Sequence, residues 1–119
     1  MNYPATYNFP DSYKGDGLAA FTITLEYPDE SPVDLTASKV RMQLRAFDKS
    51  LAYEFSSEST EVEKQLTIQP NGVIQFPLIK SWDIPATKYT YDLEVTDATG
   101  FVRTYLQGEW SIKQDITNG

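Results

Sequence analysis

"YTYDLEVTDATGFVRTYLQGEWSI", residues 89–112, carries the pattern that decides the fold. Tyr89, Tyr91, Leu93 and Val95 alternate with Thr90, Asp92 and Glu94, the period-two spacing of a strand with one apolar and one polar face. Asp97-Ala98-Thr99-Gly100 then reverses the chain, and Gly100 can take the left-handed conformation that such a turn requires. The alternation resumes with Val102, Thr104, Leu106, Trp110 and Ile112 on the inward face. Each large apolar side chain buried here is worth ~1.5–3 kcal/mol before conformational entropy is subtracted. The hairpin is therefore expected to be a main contributor to the fold. Gly108 shares the inward phase without a side chain, which predicts a bulge or a close backbone approach. Packing alone accounts for the pattern, and it demands no catalytic role.

Working outward, the same alternation recurs. Phe21, Ile23 and Leu25 oppose Thr22, Thr24 and Glu26, and Val40, Met42, Leu44 and Ala46 oppose Lys39, Arg41, Gln43 and Arg45. Between these strands, "YPDESPVDLTAS" suits a loop with a short edge segment around Val33 to Leu35. "LAYEF" at 51–55 reads as another strand, and "SSESTEVEK" at 56–64 as a solvated acidic loop. Leu66 and Ile68, then residues 73–78, flank Pro70-Asn71-Gly72, a hairpin signal because Asn and Gly accept positive φ. "IKSWDIPAT" at 79–87 predicts one helical turn or a tight crossing, ended by Pro85. No segment has apolar spacing for a regular helix. Short strands with turn signals about every ten residues predict an all-β protein. The expected architecture is an antiparallel β-sandwich of immunoglobulin-like Greek-key form. It is read as one domain over residues 1–119, with 1–17 as an N-terminal segment or docking arm.

Composition excludes several chemistries. The 119 residues include no cysteine, so disulfides and thiolate sites are ruled out, and no histidine, the side chain best suited to proton transfer near neutral pH. Seventeen acidic against ten basic residues give a net charge of −7, which disfavours nucleic acid or an anionic membrane as partner. No apolar run approaches the ~18 residues of a membrane span. The opening "MNYPATYNFPDSYKG" lacks a basic start and an apolar core, so no secretory signal is expected and Met1 reads as the native start.

Candidate chemistry is sparse. "DSYKGDG" at 11–17 fails as a calcium loop because Tyr13 and Gly15 fall where oxygen ligands are needed. "KGD" at 14–16 is too short to carry weight. Glu54, Glu58, Glu61 and Glu63 could gather round a hard cation, but a solvated acidic loop explains them better, and no metal or cofactor is predicted. Asp92 and Glu94 could act as acid and base, yet on an alternating strand beside Arg41 and Arg45 they read as a surface ion-pair ladder. Tyr3, Tyr7, Phe9, Tyr13 and Tyr27 could offer stacking faces to a sugar; packing that fastens the N-terminal segment over the sandwich is the simpler use. The same segment could dock on another subunit.

"VDLTASKVRMQLR" at 33–45, and then the run from "NGVIQFPLIKSWDIPATKY" through "TYLQGEWSIKQDIT", resemble a family of small bacteriophage and prophage structural proteins of tail, baseplate and fibre regions. The likeness covers about residues 33–117 and is to the immunoglobulin-like N-terminal domain of upper baseplate proteins; Thr87 stands where the family often has Gly. The resemblance implies a non-enzymatic virion component, an assembly adaptor made in the bacterial host cytoplasm. Its implied partners are other virion proteins, with the chain itself a homo-oligomer or multicopy in the particle. Tyr3, Tyr7, Phe9, Tyr13, Glu58 and Glu61 are the expected assembly contacts. Deleting residues 1–10 is expected to leave a folded sandwich that no longer assembles. The alternative is a carbohydrate-binding module recognising host surface glycans. An acidic glycoside hydrolase ranks last, since a paired carboxylate site normally sits in a deep cleft of a larger scaffold.

Overall fold

A computed structural model describes residues 5–114. Its strands are β1 (Ala5–Thr6), β2 (Ser12–Tyr13), β3 (Phe21–Thr24), β4 (Lys39–Arg45), β5 (Leu51–Ser56), β6 (Thr67–Gln69), β7 (Val73–Phe76), β8 (Thr87–Thr96) and β9 (Val102–Lys113). One 3-10 turn, Val62–Lys64, interrupts the acidic loop, and no α-helix occurs among the described residues.

The strands form two sheets, one ordered β1-β9-β8-β4-β5 with β2 also on β9, the other β3-β7-β6. The chain changes sheet between β2 and β3, between β3 and β4, between β5 and β6, and between β7 and β8, while β4-β5, β6-β7 and β8-β9 are hairpins. β8 thus returns beside β4, the Greek-key connection of an immunoglobulin-like sandwich. A second mark of that fold is the Tyr89 hydroxyl, which donates to the Pro85 carbonyl just before β8. This is the tyrosine corner of immunoglobulin domains. In antibody domains the residue two positions after that tyrosine is a disulfide cysteine; here it is Tyr91.

With no cysteine to link the sheets, aromatic rings fill the space between them. Trp110 stacks on Phe9 at 4.3 Å and meets Trp82 edge-on at 5.5 Å, while Phe76 lies 4.6 Å from Phe21 and 5.1 Å from Phe55. Met42, Leu44, Ile74 and Leu93 complete a fully buried centre.

The alternating stretches form strands as their spacing predicts. Tyr89, Tyr91, Leu93 and Val95 are buried, and Asn71, Gly72 and Gly100 have the positive φ that their turns require. Three expectations change, and the choice left open at 79–87 is made. Leu93 pairs with Leu106 but Glu94 with Thr104, so a bulge consumes Tyr105 and leaves Val102 exposed rather than inward. Residues 33–35 form no strand; the Val33 amide bonds the Leu25 carbonyl, and Val33 and Leu35 are buried. Of the two forms expected before β8, residues 79–86 take the tight crossing rather than a helical turn, and Trp82 plugs the core from it. The sandwich is antiparallel except for β1 and β2, which run parallel to β9.

Candidate functional site

The expected contact residues fall on two separate surfaces. Tyr7, Phe9 and Tyr13 belong to the N-terminal segment along β9, whereas Glu58 and Glu61 border β5 at the far edge of the same sheet. Four strand steps at ~4.8 Å place these edges roughly 19 Å apart. The two groups therefore make no common patch. Tyr3 lies outside the described residues.

The N-terminal segment is part of the sandwich. Tyr7 and Phe9 amides donate to the carbonyls of Gln107 and Glu109, both at 2.9 Å, and the Tyr91 hydroxyl donates to the Tyr7 carbonyl at 2.6 Å. Burial pushes that hydroxyl well above the usual phenol range. Gly108 permits the approach, because a Cβ there would stand 1.9 Å from the Tyr7 oxygen. Ser12 accepts the Trp110 indole N–H at 3.0 Å. Deleting residues 1–10 would strip Phe9 from Trp110, so the truncation that the sequence expects to leave a folded sandwich would also remove part of its packing. Tyr7 and Tyr13 remain 48% and 46% exposed and can meet a partner while the segment stays in place.

At the other edge, Glu58 pairs with Lys39 at 3.2 Å and Glu61 with Lys64 at 3.4 Å, while the Lys80 amide donates to Glu63 at 2.9 Å. The Tyr53 hydroxyl donates to the Glu63 carbonyl, and burial first, then Glu63 and Glu61, push its pKa up to about 12. The 56–64 loop is thus pinned to β4 and β5 and to the crossing at Lys80. Beside it, Leu51, Tyr53, Glu54, Glu58 and Glu61 line a groove of about 420 Å³. Among the described residues no group of acidic side chains is placed to hold a metal ion.

The outer face of β4 and β8 carries the polar ladder. Arg41 meets Glu94 at 2.7 Å and Glu54 at 4.0 Å, and Gln43 bonds Glu54 at 2.6 Å. Asp92 sits within it with its pKa raised, by burial first and then by Glu94, against the pull of Arg45 and Arg41. This is cross-strand pairing on an open sheet face.

Sequence reasoning missed a third feature. A groove of about 370 Å³ opens between Tyr7 and Phe9 on one side and residues 18–23 on the other, with Trp110 at its base. Its only sequence signal is the small pair Ala19-Ala20 ahead of β3. A further row, Phe101, Arg103 and Tyr105, runs along β9 and the turn before it, with the Arg103 guanidinium 5.4 Å and 6.0 Å from the two rings.

No family model and no curated protein matches the chain. Among solved structures it is similar to CopC from Methylosinus trichosporium OB3b, at 8% identity over 87% of this chain and 84% of that one, with a TM-score of 0.46. It is also similar to the ZIG-8 IG1 homodimer, at 11% identity over 97% and 85%, with a TM-score of 0.45. Likeness at this level carries no argument about function. The class is that of an immunoglobulin-like β-sandwich domain, defined by its strand order and tyrosine corner.

Proposed function

We propose that this protein is a non-enzymatic structural or assembly component of a bacteriophage particle, an adaptor of the tail, baseplate, neck or fibre present in several copies. One observation carries the reading. The segments that bear the phage-protein resemblance, "KVRMQLR", "YTYDLEV" and "TYLQGEWSI", form three adjacent strands, β4, β8 and β9, of the fold which that resemblance implies. The two contact surfaces lie on opposite edges of one sheet, an arrangement suited to a subunit that touches a different neighbour on each side. The adaptor's work is positional: a rigid sandwich fixes the spacing of the surfaces it presents, Tyr7 and Tyr13 on one, Glu58 and Glu61 on the other.

The test is mass spectrometry and electron microscopy of particles purified from a lysate of cells carrying the gene. The protein is expected in the particle in several copies at a fixed stoichiometry. Recovery only in the soluble fraction, with particles complete without it, would overturn the reading.

A second reading, recognition of host surface glycans, is favoured by the Phe101–Arg103–Tyr105 row, since an exposed ring beside a guanidinium offers stacking and hydrogen bonding to a sugar. Glycan-array binding that disappears in Phe101→Ala would support it, and an array without signal would remove it.

A further inference from the structure

Phe21 pairs with Phe76 and Ile23 with Ile74, and the Leu25 amide donates to the Gly72 carbonyl at 2.9 Å in the same register. In an antiparallel ladder, bonded pairs alternate with non-bonded ones. Phe21 and Ile23, in phase with Leu25, therefore turn their N–H and C=O groups toward β7, and Thr22 and Thr24 turn theirs away from the sheet. No strand among the described residues pairs on that side. The N-terminal segment, which could have covered it, is held instead on β9 of the opposite sheet.

The open edge adjoins the apolar groove formed by Tyr7, Phe9, Ala19, Phe21, Ile23 and Trp110. Ala19 and Ala20 are exposed, and their small side chains leave its mouth clear. We propose that this edge and groove take up an extended strand from a different protein, apolar at alternate positions. Two demands single out that occupant. Outward backbone groups recurring every second residue, about 6.8 Å, are matched by another extended backbone. A groove along the same edge then accepts every second side chain of that strand. A second copy of the chain fits poorly, because its own β3 side chains are already packed inward on Phe76 and Trp110 and are not free to enter the groove.

The inference deepens the assembly reading and rests on it only for the donor's identity, a neighbouring virion protein. The strand site is measured on the isolated protein. The probe is a short labelled peptide of alternating Val and Thr with Lys at both ends, and the controls hold the same residues in blocks or carry a central Pro. The alternating peptide is expected to raise fluorescence anisotropy on binding, with the controls at least about tenfold weaker. Its binding should protect the amides of Thr22 and Thr24 from hydrogen exchange. Ala19→Arg, which fills the groove mouth, and Thr22→Pro, which removes an outward donor but spares the bonds of Phe21 and Ile23 to β7, should each weaken binding about tenfold or more. Equal binding of all three peptides, or protection at the β5 edge instead, would overturn the proposal. So would self-association abolished by Ala19→Arg, which would place a second copy in the groove. Peptide binding to a protein absent from particles would support the strand site and remove only the virion donor.

Discussion

Tyr89 anchors the crossing that leads into β8 through one hydroxyl, bonded to the Pro85 carbonyl. Tyr89→Phe keeps the buried ring and loses that bond, so a cost of about 1 kcal/mol is expected in urea unfolding, with an unchanged m-value. The two tryptophans differ in the same way. Trp110 donates its indole N–H to Ser12, whereas the buried Trp82 N–H has no partner among the described residues. Trp110→Phe should therefore destabilise more than Trp82→Phe, by roughly the 0.5–1.5 kcal/mol of a net hydrogen bond, beyond the packing that both lose. Equal losses would show that the Ser12 contact contributes nothing. Aspartates set the pH response. Asp29, Asp34, Asp48 and Asp97 accept bonds from the Ser or Thr two residues on, chiefly the side-chain hydroxyl, and their pKa values fall below the usual 3.8. The stability they lend is complete above the unfolded value and is lost as pH drops through the folded values. Asp92 has the opposite sign, because its raised pKa makes its share complete below 3.8 and lost as pH rises through the folded value. The melting temperature should therefore fall as pH is lowered from about 5 to 3. Asp92→Asn should raise it at pH 7 and leave it unchanged at pH 3. A lower value at pH 7 would mean that attraction to Arg41 and Arg45 outweighs the cost of burial.

At the scale of elements, the join between the N-terminal segment and β9 depends on one missing side chain. Gly108→Ala would drive a methyl group into the Tyr7 carbonyl, so β1 must shift and carry Phe9 off Trp110. A loss of roughly 1–3 kcal/mol is expected, with faster proteolysis confined to residues before β3. Unchanged protease resistance would show that the segment is held by other contacts. The close approach at Gly108 is legible in the sequence, because a residue without a side chain interrupts an inward phase. The bulge at Tyr105 is not: two register choices place the same residues on either face, and only pairing with Leu93 and Glu94 selects one. Strands of two residues, such as β1 and β2, have no period to read, so their parallel pairing leaves no mark in the sequence.

For the whole molecule, the separation of surfaces sets the expected behaviour. Tyr13 is 46% exposed, and Tyr13→Ala should change stability by no more than about 0.5 kcal/mol. If its edge meets a neighbour, the same change should reduce incorporation into particles severalfold, as counted by quantitative mass spectrometry. Undiminished incorporation would clear that edge of any contact. Glu58 and Glu61 are already paired with Lys39 and Lys64, so a partner there exchanges existing ion pairs rather than meeting bare charge. Such exposed pairs are individually weak, and a contact made there would lose strength with added salt.

The sequence by itself determined the strands with long alternating faces, the turns at Asn71-Gly72 and Gly100 and the absence of thiol and imidazole chemistry. Those follow from spacing and side-chain type, which are local properties. Only the tertiary structure decided that the N-terminal segment joins β9, that Tyr7 and Glu58 stand on opposite edges, and that β3 is left with an open side above an apolar groove. Each of these depends on which distant segments pair, and pairing is chosen by the balance of packing over the whole chain, which no single stretch encodes.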